Sequence, residues 1–186
     1  MEITNLVREI VRVTKKIKQP DLVSFVDQVQ KAQKVYVTGE GRSGLVAKSF
    51  AVRLARLGKM VYVVGETVTP PIAPNDLLIA VSGSGETKTV VETVKICRVM
   101  RGNVISLTAT EKSSITRISH FSVVIQAHLP KRLGHIYHLR ELIGVPERPP
   151  VASIFELASL IFLEAAAFKL EAIWQRNNRD KRLLPS

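Results

Sequence analysis

The sequence predicts an α/β fold, a three-layer α-β-α arrangement around a five-stranded parallel sheet. Three observations carry this expectation. From Lys34 onward, short β-branched runs alternate with stretches of helical periodicity, the pattern left by parallel strands and the helices that cross between them. The first and third runs each end in a glycine-rich turn that opens a helical stretch. Apolar residues spaced three and four apart also mark helices before and after this core, which can cover the sheet.

Each element follows in chain order. Residues 3–17 and 21–31 read as two amphipathic helices hinged at Pro20, so residues 1–33 form a helical N-terminal part. The sheet core spans 34–126, with strands at 34–38, 60–64, 77–82, 104–108 and 121–126. Helices are expected at 44–57 and 87–100, with a short one near 113–118. Residues 129–150 hold four of the nine prolines and no regular pattern. A helix over 151–176 closes the chain and is apolar nearly all round, more than one face of a lone domain can cover. It is therefore expected to be an interface helix. No repeat or second domain is visible, and residues 1–186 read as a single domain.

Composition narrows the class of protein. At 186 residues with 46% hydrophobic and 23% charged residues, the chain can build one core without disulfides or a structural metal. Cys97 is the single cysteine, which fits a reducing, cytoplasmic compartment, and the N-terminus lacks the pattern of a secretory signal. The most apolar stretch is interrupted by Glu156, Glu164, Lys169 and Glu171, so it reads as a buried helix and no membrane is expected as a partner. The net charge of +11 should draw anions. Its lysines and arginines are scattered in small groups, without a recognition motif or interleaved aromatics, so no nucleic acid is expected.

Ligands of open parallel sheets sit beyond the carboxyl ends of the strands, which directs attention to the two glycine-rich turns. Gly39-Glu40-Gly41-Arg42-Ser43-Gly44 satisfies G-x-G-x-x-G, and Gly65-Glu66 follows the second strand, where a dinucleotide enzyme keeps its ribose-binding acid. Nicotinamide binding is thus one reading, and a tight strand-to-helix turn is its structural alternative. Ser82-Gly83-Ser84-Gly85-Glu86-Thr87 sets three hydroxyls at the start of a helix, where free N–H groups and the helix dipole favour a phosphate. Capping by Ser84 or Thr87 would explain one hydroxyl and leave the other two.

These residues resemble a family. Gly41-Arg42-Ser43-Gly44, Val64-Gly65-Glu66-Thr67 with Thr69-Pro70, and Ser82-Gly83-Ser84-Gly85-Glu86-Thr87 look like the sugar isomerase (SIS) domain, a flavodoxin-like or Rossmann-like fold, and within it the 6-phospho-3-hexuloisomerases. The resemblance runs from about Lys34 to Leu163. It implies that Arg42, Ser43, Ser82, Gly83, Ser84, Gly85, Glu86 and Thr87 bind a phosphorylated ketohexose. It further implies that Glu156, in a segment with Pro150, Ser153 and Phe155, is the catalytic base. The alternative for Glu156 is structural, since Ser153-Ile154-Phe155-Glu156 has the spacing of a capping box.

The implied reaction is isomerisation of 3-hexulose 6-phosphate to fructose 6-phosphate, in a ribulose monophosphate route. The base takes the C2 proton, a cis-enediol spans C2 and C3, and the proton returns to C3. One carboxylate can serve both carbons, and the scheme calls for no cofactor and no metal. Catalytically silent sugar-phosphate binding is the nearest alternative. The resemblance also implies a homo-oligomer, a tetramer, with Arg42 and the segment around His135 as candidates to reach a neighbouring subunit's site. Two departures stand out. Relatives carry Met-His-Leu-Gly where this chain has Ala55-Arg56-Leu57-Gly58, and an Arg-His-x-Asn-Leu tail where it has Arg176-Asn177-Asn178-Arg179-Asp180. Of its own histidines, His128, His135 and His138 could approach a metal together, but no cysteine or paired carboxylate accompanies them.

Overall fold

All five expected strands are present, and every pairing between them is parallel. The computed structural model describes residues 2–127 and 151–182, with side chains in the second segment over 154–176. Two helices come first, α1 (Ile3–Thr14) and α2 (Gln19–Lys31). The core then runs β1 (Lys34–Gly39), α3 (Gly41–Arg56), β2 (Met60–Val63), β3 (Leu77–Val81), α4 (Lys88–Val99), β4 (Asn103–Thr108), α5 (Ser114–Ile118) and β5 (Phe121–Val124). The long helix α6 (Val151–Arg182) ends the described chain. The expected irregular stretch over 129–150 lies outside the described residues.

The sheet order is β2-β1-β3-β4-β5, the doubly wound arrangement in which the chain runs outward in both directions from the centre. Strand alternation sorts the core into two. Val35, Val37, Leu77, Ile79, Val81, Ile105 and Leu107 face α3, α6 and the N-terminal helices. Tyr36, Leu78, Ala80 and Val104 face α4 and α5. The central strand β3 is buried throughout, as a strand covered on both faces must be.

Several boundaries differ from expectation by a few residues, and two of the differences have a clear physical reason. The break between α1 and α2 falls before Gln19, and Pro20 sits in the first turn of α2, where its missing N–H leaves no helical bond unmade. Helix α3 begins at Gly41, so Arg42 and Ser43 are helical; its first turn closes through Gly44 N–H to Glu40 C=O, 3.2 Å. Gly44 is fixed by packing: a Cβ there would lie 2.6 Å from the Gly39 carbonyl oxygen.

The girth of α6 is met largely within the chain. Ile154, Phe155, Ala158, Phe162, Leu163, Ala166, Ala167 and Leu170 are buried, because α1 and α2 fold back over α6 while α3 flanks it. Phe25 of α2 meets Phe162 edge-on at 5.2 Å and Phe50 of α3 at 5.7 Å. Ile161, Phe168 and Trp174 remain exposed. The expectation that one domain could not cover the helix missed the N-terminal pair as a lid. Among the described residues, no helix is long and apolar enough to cross a membrane.

Candidate active site

Gly39 and Val81 are register partners at the carboxyl ends of β1 and β3. The loops that follow them therefore start side by side at the point where the winding of the sheet reverses, the usual ligand position in such a fold.

The loop after β3 is tightly organised by its own hydroxyls. Ser82 is only 3% exposed; its Oγ accepts the Gly85 N–H at 3.2 Å and lies 3.0 Å from Thr87 Oγ1. Ser84 Oγ accepts the Glu86 N–H at 3.2 Å, which leaves its own O–H proton to donate outward. Thr87 is the N-cap residue of α4 yet makes no capping bond with its side chain. The capping explanation of the serine-rich motif is therefore set aside, and the first N–H groups of α4 are not capped by a side chain. Gly83 anchors the loop to β4, its carbonyl accepting from Ala109 N–H at 2.9 Å and Thr108 Oγ1 at 3.0 Å.

Gly85 and Glu86 have structural tasks. Gly85 adopts φ +65°, and a Cβ there would collide with Ser113. The Glu86 carboxylate accepts from Ser114 N–H at 2.7 Å and Ser114 Oγ at 2.6 Å, holding α5 against the loop. Of the six residues in the motif, Ser84 thus keeps a hydroxyl proton to donate outward and Thr87 is half-buried against Ser82, while Ser82, Gly85 and Glu86 shape the loop.

On the neighbouring loop, Ser43 is buried in the first turn of α3, and Arg42 reaches across to α6. Arg42 Nη2 lies 3.5 Å from Glu156 Oε2, with the glutamate side chain 15% exposed. Glu156 thus joins the site from a helix more than a hundred residues away in sequence. Helix α6 begins at Val151, so Ser153 is a helical residue and not the N-cap, and the capping-box reading of Glu156 does not apply. Arg42, a candidate to reach a neighbouring subunit, meets the glutamate of its own chain.

The dinucleotide reading loses both of its supports. The Gly39 to Gly44 spacing is accounted for by close packing of α3 on β1. Glu66 is bound at 2.8 Å by Lys48, whose hydrogen bond and charge hold the carboxyl below its usual range. Arg56, at the position where relatives carry histidine, is exposed in the last turn of α3. It stands about 21 Å from Arg42 along the helix, at 1.5 Å per residue, so it does not reach Glu156 of its own chain. His128, His135 and His138 lie outside the described residues, among which no cluster suits a metal. A residue that sequence reasoning missed is Ser159, a fully buried hydroxyl on α6 one turn beyond Glu156. Its signal was a lone polar residue within the apolar run from Leu157 to Leu163.

Residues 28–132, more than half of the chain, match the model of the SIS domain. The chain belongs to the SIS domain family. Among SIS relatives, an uncharacterized protein of Archaeoglobus fulgidus is 36% identical over 163 residues, covering 88% of this chain and 82% of that protein. The 3-hexulose-6-phosphate isomerase of Bacillus subtilis is 33% identical over 154 residues, covering 83% and 79% of the two chains. A crystal structure of a hypothetical Methanococcus jannaschii protein, from which a molecular function of 3-hexulose-6-phosphate isomerase was inferred, superposes with a TM-score of 0.73. It is 29% identical and covers 93% of this SIS chain and 89% of its own.

Proposed function

We propose that this chain is a sugar-phosphate isomerase that converts 3-hexulose 6-phosphate to fructose 6-phosphate, as its named relatives do by description. The observation that carries the reading is the meeting of Glu156 with Arg42, whose loop starts beside the hydroxyl loop after β3, so that a base and a phosphate cradle share the carboxyl ends of β1 and β3. Ser84, Thr87 and the opening N–H groups of α4 hold the phosphate, a dianion at a helix N-terminus. Binding there fixes the distant C2 and C3 against Glu156.

A ketose phosphorylated at O6 has lost the hydroxyl that would close a five-membered ring onto C3. It is therefore open-chain, and the site has no ring to open. The Glu156 carboxylate removes the C2 proton, the electron pair moves onto the C3 oxygen, and that oxygen takes the proton of the neighbouring C2 hydroxyl across the cis-enediol, which spans both carbons. Glu156 returns the proton to C3 as the C2 hydroxyl becomes the carbonyl. Arg42 steadies the base while it is charged and is placed to meet the enediol oxygens. A ribulose monophosphate route is the proposed setting.

The same reading carries a homo-oligomer, a tetramer, held in part by the exposed apolar residues of α6. Burying Ile161, Phe168 and Trp174 recovers roughly 25 cal/mol for each Å² of apolar surface. Light scattering at micromolar concentration should show no monomer, and a stable active monomer would remove this part of the reading.

The deciding experiment couples product to fructose 6-phosphate detection. Wild type should turn over, and Glu156→Gln should lose about 10² to 10⁴ in kcat with KM little changed. Substrate binding without turnover in the wild type would leave a sugar-phosphate sensor instead.

A further inference from the structure

Ser159 poses a question that the fold alone does not answer. Its side chain is wholly buried and its Oγ makes no hydrogen bond, although an unmade buried hydroxyl is destabilising and alanine is the better helix former. It is three residues from Glu156 on α6, which brings the two Cβ atoms to about 5–6 Å on one face of the helix. Glu156 Oε2 is itself shielded from solvent, as Ser159 Oγ is.

Arg42 can serve only one state of this carboxyl group. A guanidinium donates and never accepts, so it holds the carboxylate and offers nothing to the O–H of the acid. A serine hydroxyl both donates and accepts. We propose that Ser159 is a positioning residue for Glu156, receiving the O–H of the protonated acid when it leaves Arg42, so that each state of the carboxyl group has its own partner. The structure shows the carboxylate on Arg42, and the unmade bond at Ser159 belongs to that state.

This rests on the isomerase reading for its use: the proton taken from C2 must be kept on Glu156 until it is given to C3. With Ser159 accepting that O–H, the acid stays aligned and keeps its proton from escaping elsewhere. No covalent bond to Ser159 forms at any step.

The test has two arms, one of which needs no activity. In protein labelled with ¹³C at the glutamate carboxyl carbon, Glu156 is titrated in wild type, Ser159→Ala and Arg42→Gln. Removing the partner of the acid should move the midpoint down by at least about 0.3 pH unit, and removing the partner of the carboxylate should move it up. Ser159→Ala should also melt no lower than wild type, since an unsatisfied polar atom has been deleted. An unmoved midpoint, or a lower melting temperature, would overturn the proposal. In the coupled assay, Ser159→Ala should lose about 5- to 30-fold in kcat with KM within about twofold, and Ser159→Thr should recover most of the loss. Full activity in Ser159→Ala would also overturn it. Should the wild type fail to turn over, the isomerase reading falls, while the titration arm still decides the role of Ser159.

Discussion

Ser82 Oγ lies 3.0 Å from Thr87 Oγ1, which ties the buried first hydroxyl of the loop to the last. The contact removes Thr87 from the capping role that its position offers. Ser82 also accepts the Gly85 N–H, so one buried hydroxyl sets the shape on which the others depend. With the Ser82–Thr87 pair sharing one proton between them, Ser84 and one member of the pair remain as outward donors.

Ser84→Ala should therefore weaken substrate binding without altering the fold. Its Oγ accepts only a local N–H, and a phosphate held equally in ground and transition states changes KM alone. The expected result is a rise of about 5- to 20-fold in KM with kcat within about twofold, measured in the coupled assay. Ser82→Ala should in addition lower stability by no more than about 1 kcal/mol in urea, because Gly85 N–H loses one of its two acceptors and keeps the Ser82 carbonyl at 3.1 Å.

Gly85→Ala should be among the most damaging single changes in the loop. The residue holds φ +65°, which costs an alanine roughly 1–2 kcal/mol, and its Cβ would sit 2.5 Å from Ser113 Cβ. Together with the forced shift of α5, a loss of about 2–4 kcal/mol is expected from chemical denaturation. Relieving the collision with Ser113→Gly in the same chain should recover part of it, and no recovery would show that φ alone is responsible.

Cys97 should be inert in the folded protein. Burial pushes its thiol up to about 11, and its Sγ donates to the Asn103 carbonyl at 3.6 Å. At pH 8 a thiol-reactive disulfide reagent should modify native protein at least about 100-fold more slowly than the same chain in denaturant. Equal rates would mean that the helix α4 opens readily.

His120 should make stability fall on mild acidification. Its Nδ1 accepts the Val104 N–H at 3.0 Å, which only the neutral ring can do, and Arg98 lies against the same ring. Burial, and then Arg98, hold its pKa below the ordinary 6.5. The unfolded chain therefore takes up a proton first as pH drops. The contribution is whole above about pH 6.5 and is lost as pH falls through the lower folded value. The melting temperature should decline between pH 7.5 and 5.5, and His120→Asn should flatten that decline.

The strands, the main helices and the two glycine-rich loops were legible in the chain because each depends on local pattern. Alternation of β-branched residues sets strand faces, glycines mark strand-to-helix turns, and the hydroxyl-rich motif at the start of α4 has the composition of an anion cradle. Glu156 and Arg42 were legible as candidates, each on its own motif. Their meeting at 3.5 Å was not, since it depends on how α6 docks against α3 across a separation of more than a hundred residues. The same docking decided which residues of α6 are covered, for the lid formed by α1 and α2 has no signature beyond amphipathic spacing. Tertiary packing also divided the hydroxyl motif, turning Ser82 inward, Thr87 onto Ser82, Ser84 outward and Glu86 onto α5. A sequence states which groups are available; which of them face one another is settled only when the helices close on the sheet and each buried polar atom must find a partner.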